Sequence, residues 1–162
     1  MNPYDAPKAD LRDGLGSGQD PAPALWNPNA AASWCLAFSV VFGAYLHMKN
    51  WEALDEPEKA SASKKWFVAG ICSIVIATMT SLFAMADNSI NLLVDLLFLA
   101  MLLSWYFVSA KLQATYVESR FGKNYPRKGW LNPILIGVGG IFAFGFVNGI
   151  LLVARAVLQD PH

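Results

Sequence analysis

A single carboxylate, Asp95, lies inside an almost unbroken apolar stretch of the chain, residues 90–111. An ionisable side chain is costly within a membrane, so such residues mark ion or proton pathways or pair with polar groups of neighbouring helices. Two interpretations follow for Asp95. It is either an ion or proton site, or it holds helices together by hydrogen bonds to residues such as Asn148 and by an ion pair with Arg155. The structural interpretation is favoured, because no second acid or lysine is expected at the same depth.

Other polar residues are expected at this depth once the predicted spans are aligned. Together with Asp95 they form a predicted intramembrane polar layer: Asn148, Thr78, Thr80 and Ser81, with Arg155 near the boundary. The sequence shows no Ser/His/Asp or Cys/His set at a common depth, no phosphate loop and no paired carboxylates within the membrane. We therefore expect no enzyme, no metal site and no cofactor. His47 is interpreted as an interfacial histidine.

Small residues recur at helical spacing in the last apolar segment. Gly145 and Gly149 form a GxxxG motif, and Gly139 and Ala143 form a second pair of small residues four positions apart. Such pairs let the backbones of membrane helices approach closely. We predict that these four residues mediate helix packing within a bundle, with dimerisation as the alternative.

The composition is typical of a small membrane protein rather than a soluble domain. The 162 residues are 55% hydrophobic and only 15% charged, with a mean hydropathy of +0.36, whereas soluble domains have about 25% charged residues. About 20 apolar residues are needed for a helix to cross a bilayer. The predicted fold is all-α, a polytopic bundle of four transmembrane helices at about residues 30–48, 66–85, 90–111 and 133–157.

The predicted segments are not equally strong. The span 30–48 is the weakest, being barely long enough and containing Ser33, Ser39 and His47, so a re-entrant or interfacial helix is the alternative. Residues 1–25 are rich in Gly, Pro and Asp and are predicted to be a disordered polar tail, which leaves 26–162 as the membrane domain. The short turn around residues 86–89 makes the second and third spans an antiparallel hairpin.

The segment from Trp26 to Leu54 contains W-N-P, F-G-A-Y-L-H and N-W. It resembles the start of certain small uncharacterised bacterial inner-membrane proteins. The resemblance implies a bacterial inner membrane as the location, and it carries no site residues over to this chain.

The distribution of lysine and arginine predicts the orientation. The loops 49–65 and 111–129 hold nine of the twelve basic residues, and basic loops stay in the cytoplasm. With four spans, both termini are then periplasmic. Lys123, Arg127 and Lys128 are predicted to contact anionic lipid headgroups. With a formal net charge of zero, the chain has no global basic field for nucleic acid.

These observations favour a protein that acts by binding another protein. Two such roles are an immunity protein against a membrane-active toxin and an accessory subunit of a membrane complex. The expected partners are membrane lipids and a membrane protein or toxin, and a homo-oligomer is also consistent with the sequence. The alternative function is a small oligomeric transporter or channel that uses the polar layer of Asp95.

Overall fold

The computed structural model describes residues 21–83 and 88–159, and this part of the chain is almost entirely helical. Six α-helices follow one another: α1 (Pro28–Phe38), α2 (Val40–Ala53), α3 (Pro57–Phe83), α4 (Asn88–Trp105), α5 (Lys111–Phe121) and α6 (Leu131–Gln159). One turn of π-helix, Tyr106–Ala110, joins α4 to α5. The all-α prediction is confirmed.

Three helical stretches are long and apolar enough to cross a membrane. They are Pro57–Thr80, Ser89–Phe121 and Leu131–Leu158, and they contain the cores of the second, third and fourth predicted spans. The helix containing the third span continues beyond it to Phe121 and ends at Gly122, whose φ of 66° and N–H bond to the Glu118 carbonyl close the last turn.

The first predicted span is not a single helix, and a fourth span is not confirmed. Residues 30–48 are divided at Ser39 into α1 and α2, which run antiparallel as a helical hairpin. His47 near the end of α2 is hydrogen-bonded to Pro28 at the start of α1, and Gly43 lies against Cys35. Both ends of the segment therefore lie on the same side of the molecule.

Local chemistry explains both the start and the bend of this hairpin. The Asn27 carboxamide accepts hydrogen bonds from the Asn29 and Ala30 N–H groups, and Pro28 occupies the first turn, so α1 has a well-formed N-terminus. At Ser39 the backbone adopts φ 87° and ψ 167°, which ends α1 and reverses the chain. Non-glycine residues rarely adopt this conformation, so the surrounding contacts must hold it.

Helix α2 is the centre of the packed region. On one side it contacts α3 through Val41 against Gly70 and Tyr45 against Phe67, whose ring centroids are 6.0 Å apart. On another side, Gly43 and His47 face Trp105 at the end of α4. The buried apolar clusters of the described residues all include α2, so the core lies where the hairpin meets α3, α5 and the π-helical turn.

Helix α6 is hardly packed against the rest of the molecule. Its closest glycine contact is Gly137, where an added Cβ would lie 2.9 Å from the Phe38 ring. An added Cβ at Gly139, Gly145 or Gly149 would meet no other described atom within 4 Å, and Ala143 is exposed. The predicted packing of these residues inside a bundle is therefore not what the described structure has.

Two predictions fall wholly or partly outside the described residues. The tail 1–25 is described only from residue 21, and there Leu25 is fully buried rather than part of a free tail. It is held by backbone bonds from the Leu25 N–H to the Pro126 carbonyl (3.0 Å) and from the Lys128 N–H to the Leu25 carbonyl (2.9 Å). Of the turn 86–89, residues 86 and 87 lie outside the described part.

The close approach at Gly43 gives a direct test of the hairpin. In Gly43→Ala the new Cβ would overlap Cys35 Sγ and lie 2.7 Å from Trp105 Cη2, so we expect unfolding in detergent to become easier by about 1–3 kcal/mol, the usual cost of overpacking. Gly140→Ala is the control, because its Cβ meets nothing within 4 Å. Equal stability of the two variants would contradict the packing of α1 on α2.

Candidate functional site: a buried polar junction

The base of the hairpin is closed by one buried amide side chain, Asn50. Its Oδ1 accepts the Trp26 N–H at 3.0 Å, and its Nδ2 donates to the Trp26 carbonyl at 2.8 Å. The side chain thus pairs with both backbone groups of Trp26, as a neighbouring strand would. Asn50 is fully buried, so these bonds are protected from water, and they fix the point where the chain enters α1.

Gln113 of α5 extends this pairing to a third helix. Its Nε2 donates to the His47 carbonyl at 2.8 Å, and its Oε1 accepts from Asn50 Nδ2 at 3.2 Å. Gln113 is also fully buried. Because buried polar groups are costly unless they are hydrogen-bonded, the amides of Asn50 and Gln113 specify how α1, α2 and α5 meet.

His47 is fully buried beside these amides, and its predicted position at the membrane interface stays a prediction. Its Nε2 lies 3.3 Å from the Pro28 carbonyl, which can only accept, so Nε2 carries the proton and Nδ1 has a free lone pair. Burial lowers the pKa of His47 to about 4, and the bond to Pro28 opposes this shift. The imidazole is therefore neutral at physiological pH, and it packs edge-on against Trp105 at 5.3 Å between ring centroids.

Three buried polar atoms of the described residues have no hydrogen-bond partner: His47 Nδ1, Trp105 Nε1 and Ser63 Oγ. The first two belong to contacting rings, one an acceptor and the other a donor. Ser63 is buried on α3 and shares a helix face with Ala60 and Phe67, which belong to clusters that include α2. Unpaired buried groups are rare in native proteins. The junction thus has spare capacity for both donating and accepting a hydrogen bond.

The π-helical turn lies at this junction. Trp105 immediately precedes it, while Ser109 and Ala110 within it are buried. Single π-turns are uncommon and are often found at functional sites.

A second cluster, half-buried at the surface, joins the α2–α3 turn to α5. Tyr116 donates its phenolic hydrogen to Glu56 and accepts a hydrogen bond from Arg120, and Lys59 pairs with Glu56 at 3.1 Å. The Tyr116 hydrogen bond is the main reason that the pKa of Glu56 is lowered, followed by the bond with Lys59. Solvent screens such pairs, so this cluster orients the turn rather than stabilising the core.

The predicted polar layer is not joined by contacts in the described structure. Asp95 is exposed on α4, and no hydrogen bond or ion pair of the described residues connects it to Arg155. Asn148 donates to the Phe144 carbonyl of its own helix at 2.9 Å. Thr78 and Thr80 are half-buried on α3, and the side chain of Ser81 lies outside the described part.

The basic loop before α6 is close to the entry of α1. Lys128 Nζ lies 4.5 Å from the ring centroid of Trp26, and the Arg127 guanidinium lies 5.6 Å from that of Tyr125. Arg127 also donates weakly to the Lys123 carbonyl at 3.4 Å. Lys123 and Arg127 are exposed, and contact of this loop with anionic lipid remains a prediction.

The residues of the polar junction are ones that sequence analysis missed. Asn50 follows the apolar run and Gln113 lies in a polar stretch, so composition places both in connections that face water. The available signal was the spacing of His47 and Asn50, three positions apart and so on one helix face. No group of three or more potential metal ligands occurs among the described residues.

Comparison with known proteins adds no relative. The sequence matches no protein-family model, and no curated protein or solved structure shows significant similarity to it. What the described residues define is an all-helical protein with three helices compatible with membrane insertion.

The role of Asn50 can be tested against a second asparagine. Asn50→Ala leaves both backbone groups of Trp26 unpaired, so we expect a loss of about 1–3 kcal/mol in unfolding free energy. Asn148→Ala removes only a bond to its own helix and should change stability much less. Chemical unfolding in detergent, followed by tryptophan fluorescence, compares the two, and similar losses would contradict the proposed role of Asn50.

Proposed function

We propose that this chain is an integral protein of a bacterial inner membrane that acts by binding another membrane protein. In this proposal α3, α4–α5 and α6 span the bilayer, and α1–α2 is a re-entrant hairpin. The partner is either a subunit of a membrane complex or a membrane-active toxin that the chain neutralises. The outward position of Asp95 is the observation that carries the proposal.

Asp95 is exposed on a mostly apolar face of α4, where Asn91, one turn earlier, is the other exposed polar residue. Its neighbours Leu92, Leu96 and Leu99 are also exposed, so this face is directed at lipid unless another molecule covers it. Carboxylates within membrane spans almost always face a protein interior or a partner. A partner helix that offers a hydrogen-bond donor would satisfy Asp95, and no ion pathway is needed to explain the residue.

The free face of α6 supports the same proposal. The helix is about 43 Å long at 1.5 Å per residue, and its glycines 145 and 149, four positions apart on one face, have open space where a side chain would be. Bulky side chains, including Phe142 and Phe146, flank these gaps and are mostly exposed. Surfaces of this shape accept the backbone of a second helix.

The re-entrant hairpin changes the predicted orientation of the N-terminus. If α1–α2 does not cross, the tail lies on the same side as the α2–α3 turn and the loop before α6. Every lysine and arginine except Arg155 is then on one side of the membrane. This is a stronger asymmetry than four spans give, and the positive-inside rule makes that side cytoplasmic.

Single added cysteines can test this topology in the full chain. The exposed Cys72 is replaced by alanine, and the buried Cys35 is kept. We expect Ala24→Cys and Asn124→Cys to react with an impermeant maleimide only after the inner membrane is opened, because both are exposed on the basic side. Asn88→Cys should react in intact spheroplasts. Labelling of Ala24→Cys together with Asn88→Cys would restore the four-span topology.

The partner-binding proposal can be tested with matched glycine variants. Gly145→Leu fills one face of α6, whereas Gly140→Leu fills nearly the opposite face, and neither position has a neighbour within 4 Å. We expect Gly145→Leu to release the partner in crosslinking and native-gel assays of native membranes, with unfolding unchanged. Asp95→Asn should weaken the complex by about tenfold, which corresponds to about 1.4 kcal/mol.

Two results would contradict this assignment. One is a complex that survives both Gly145→Leu and Asp95→Asn. The other is ion flux through the purified protein in liposomes that disappears in Asp95→Asn, which would favour the transporter. If crosslinks form only between two differently tagged copies of this chain, the partner is a second copy of it.

A further inference from the structure

A cavity of about 200 Å³ lies beneath the tip of the α1–α2 hairpin. Val40 and Val41 of the hairpin, Gly70 and Ile74 of α3, and Phe98 and Leu99 of α4 form most of its wall. Apart from Ser39 and Cys35, the lining side chains are apolar. Apolar cavities of about 150 Å³ stay dry and bind small hydrocarbons, so this one has room for an apolar ligand.

The depth of the cavity indicates which apolar molecules can reach it. Helix α1 has 11 residues from Pro28 to Phe38, which is about 16 Å at 1.5 Å per residue. If the base of the hairpin lies at the membrane surface, its tip reaches about the middle of a hydrocarbon core roughly 30 Å thick. The methyl ends of lipid acyl chains occupy that depth.

The structure also provides a route from the bilayer into the cavity. Leu99 lines the cavity and is 50% exposed, so it forms an outer rim directed at lipid. Gly70 keeps the inner wall compact, because a Cβ there would lie 2.8 Å from Val41 Cγ2. The cavity is therefore open laterally beside α4, and no charged residue lines it.

We propose that this cavity binds the methyl-terminal segment of a phospholipid acyl chain. The segment would fill the space under Ser39 and support the hairpin from the bilayer side. The inference rests on the membrane placement given under Proposed function, and it does not depend on which protein is the partner.

Photolabelling of the full chain in phosphatidylethanolamine vesicles tests the proposal. One trace phospholipid carries a diazirine at the methyl end of an acyl chain, and a second carries it next to the ester. We expect the methyl-end probe to label Phe98, Ile74 and Val41 above Phe142 and Phe144 of α6, which are exposed to lipid when no partner is bound. The ester-end probe should not label the cavity. Cavity labelling no higher than that of α6 would overturn the proposal.

A matched pair of variants provides the control. Leu99→Trp fills the rim, whereas Leu103→Trp adds the same side chain one turn further along α4, where Leu103 is 48% exposed and outside the lining. We expect loss of cavity labelling in the first variant alone. If Leu99→Trp unfolds like the wild type and the cavity is still labelled, the proposal is overturned. If Leu99→Trp does not fold, the labelling pattern of the wild type alone tests the proposal.

A third arm separates the possible sources of the acyl chain. Excess unlabelled palmitic acid should leave the methyl-end labelling unchanged, because the occupant belongs to a bilayer phospholipid. Displacement by palmitic acid would show a free fatty acid in its place and would overturn the phospholipid assignment. Partner release by Gly145→Leu is measured separately, so failure of either proposal can be recognised without the other.

Discussion

The pairing of Asn50 with the backbone of Trp26 is the interaction on which the arrangement of helices depends. It joins the start of α1 to the end of α2 and so closes the hairpin at its base. The same amide contacts Gln113, which brings α5 to the hairpin. Apolar contacts are not directional, so they specify the register between neighbouring helices less sharply than hydrogen bonds do. A pair of directional bonds in a water-free site does fix it.

This closure explains why a strained turn is possible at the opposite end of the hairpin. Ser39 holds a positive φ that is unfavourable for a residue with a side chain. The strained conformation of Ser39 persists because contacts on both sides of it along the chain hold α1 and α2 together. Gly43 and Cys35 bring the two helices into contact near the tip, and Asn50 holds them at the base. The hairpin is therefore held together at both ends, and α3 and the α4–α5 helix pack on it.

Long apolar runs in the sequence predict three of the helices correctly. The sequence does not predict the point where the first apolar segment is divided, because that depends on a single residue, Ser39. Residues 66–85, 90–111 and 133–157 are apolar over lengths that leave few alternatives to a helix. The division at Ser39 is different, because serine occurs inside many helices and nothing next to it is a strong breaker. The bend is instead imposed by contacts between residues far apart in sequence, such as Trp26 and Asn50.

The candidate site was harder to predict than the fold for a related reason. Asn50 and Gln113 lie in polar stretches, where a buried amide cannot be distinguished from a solvated one by composition. Asp95 was recognised as costly, but its direction could not be deduced. A predicted layer of polar residues at one depth says nothing about the rotation of each helix, and rotation decides whether Asp95 and Arg155 meet.

The π-helical turn sets that rotation for α4. A π-turn accommodates one residue more than an α-helical turn, so the helix beyond it is rotated by about 100° relative to a continuous α-helix. This offset lets Trp105 and Gln113, eight positions apart, both face α2. It also determines the direction in which Asp95 points. Loss of a single residue between Tyr106 and Ala110 would keep α4 helical and apolar while turning its carboxylate to another side of the molecule. The outward face of α4 thus depends on chain length at a point more than ten residues away.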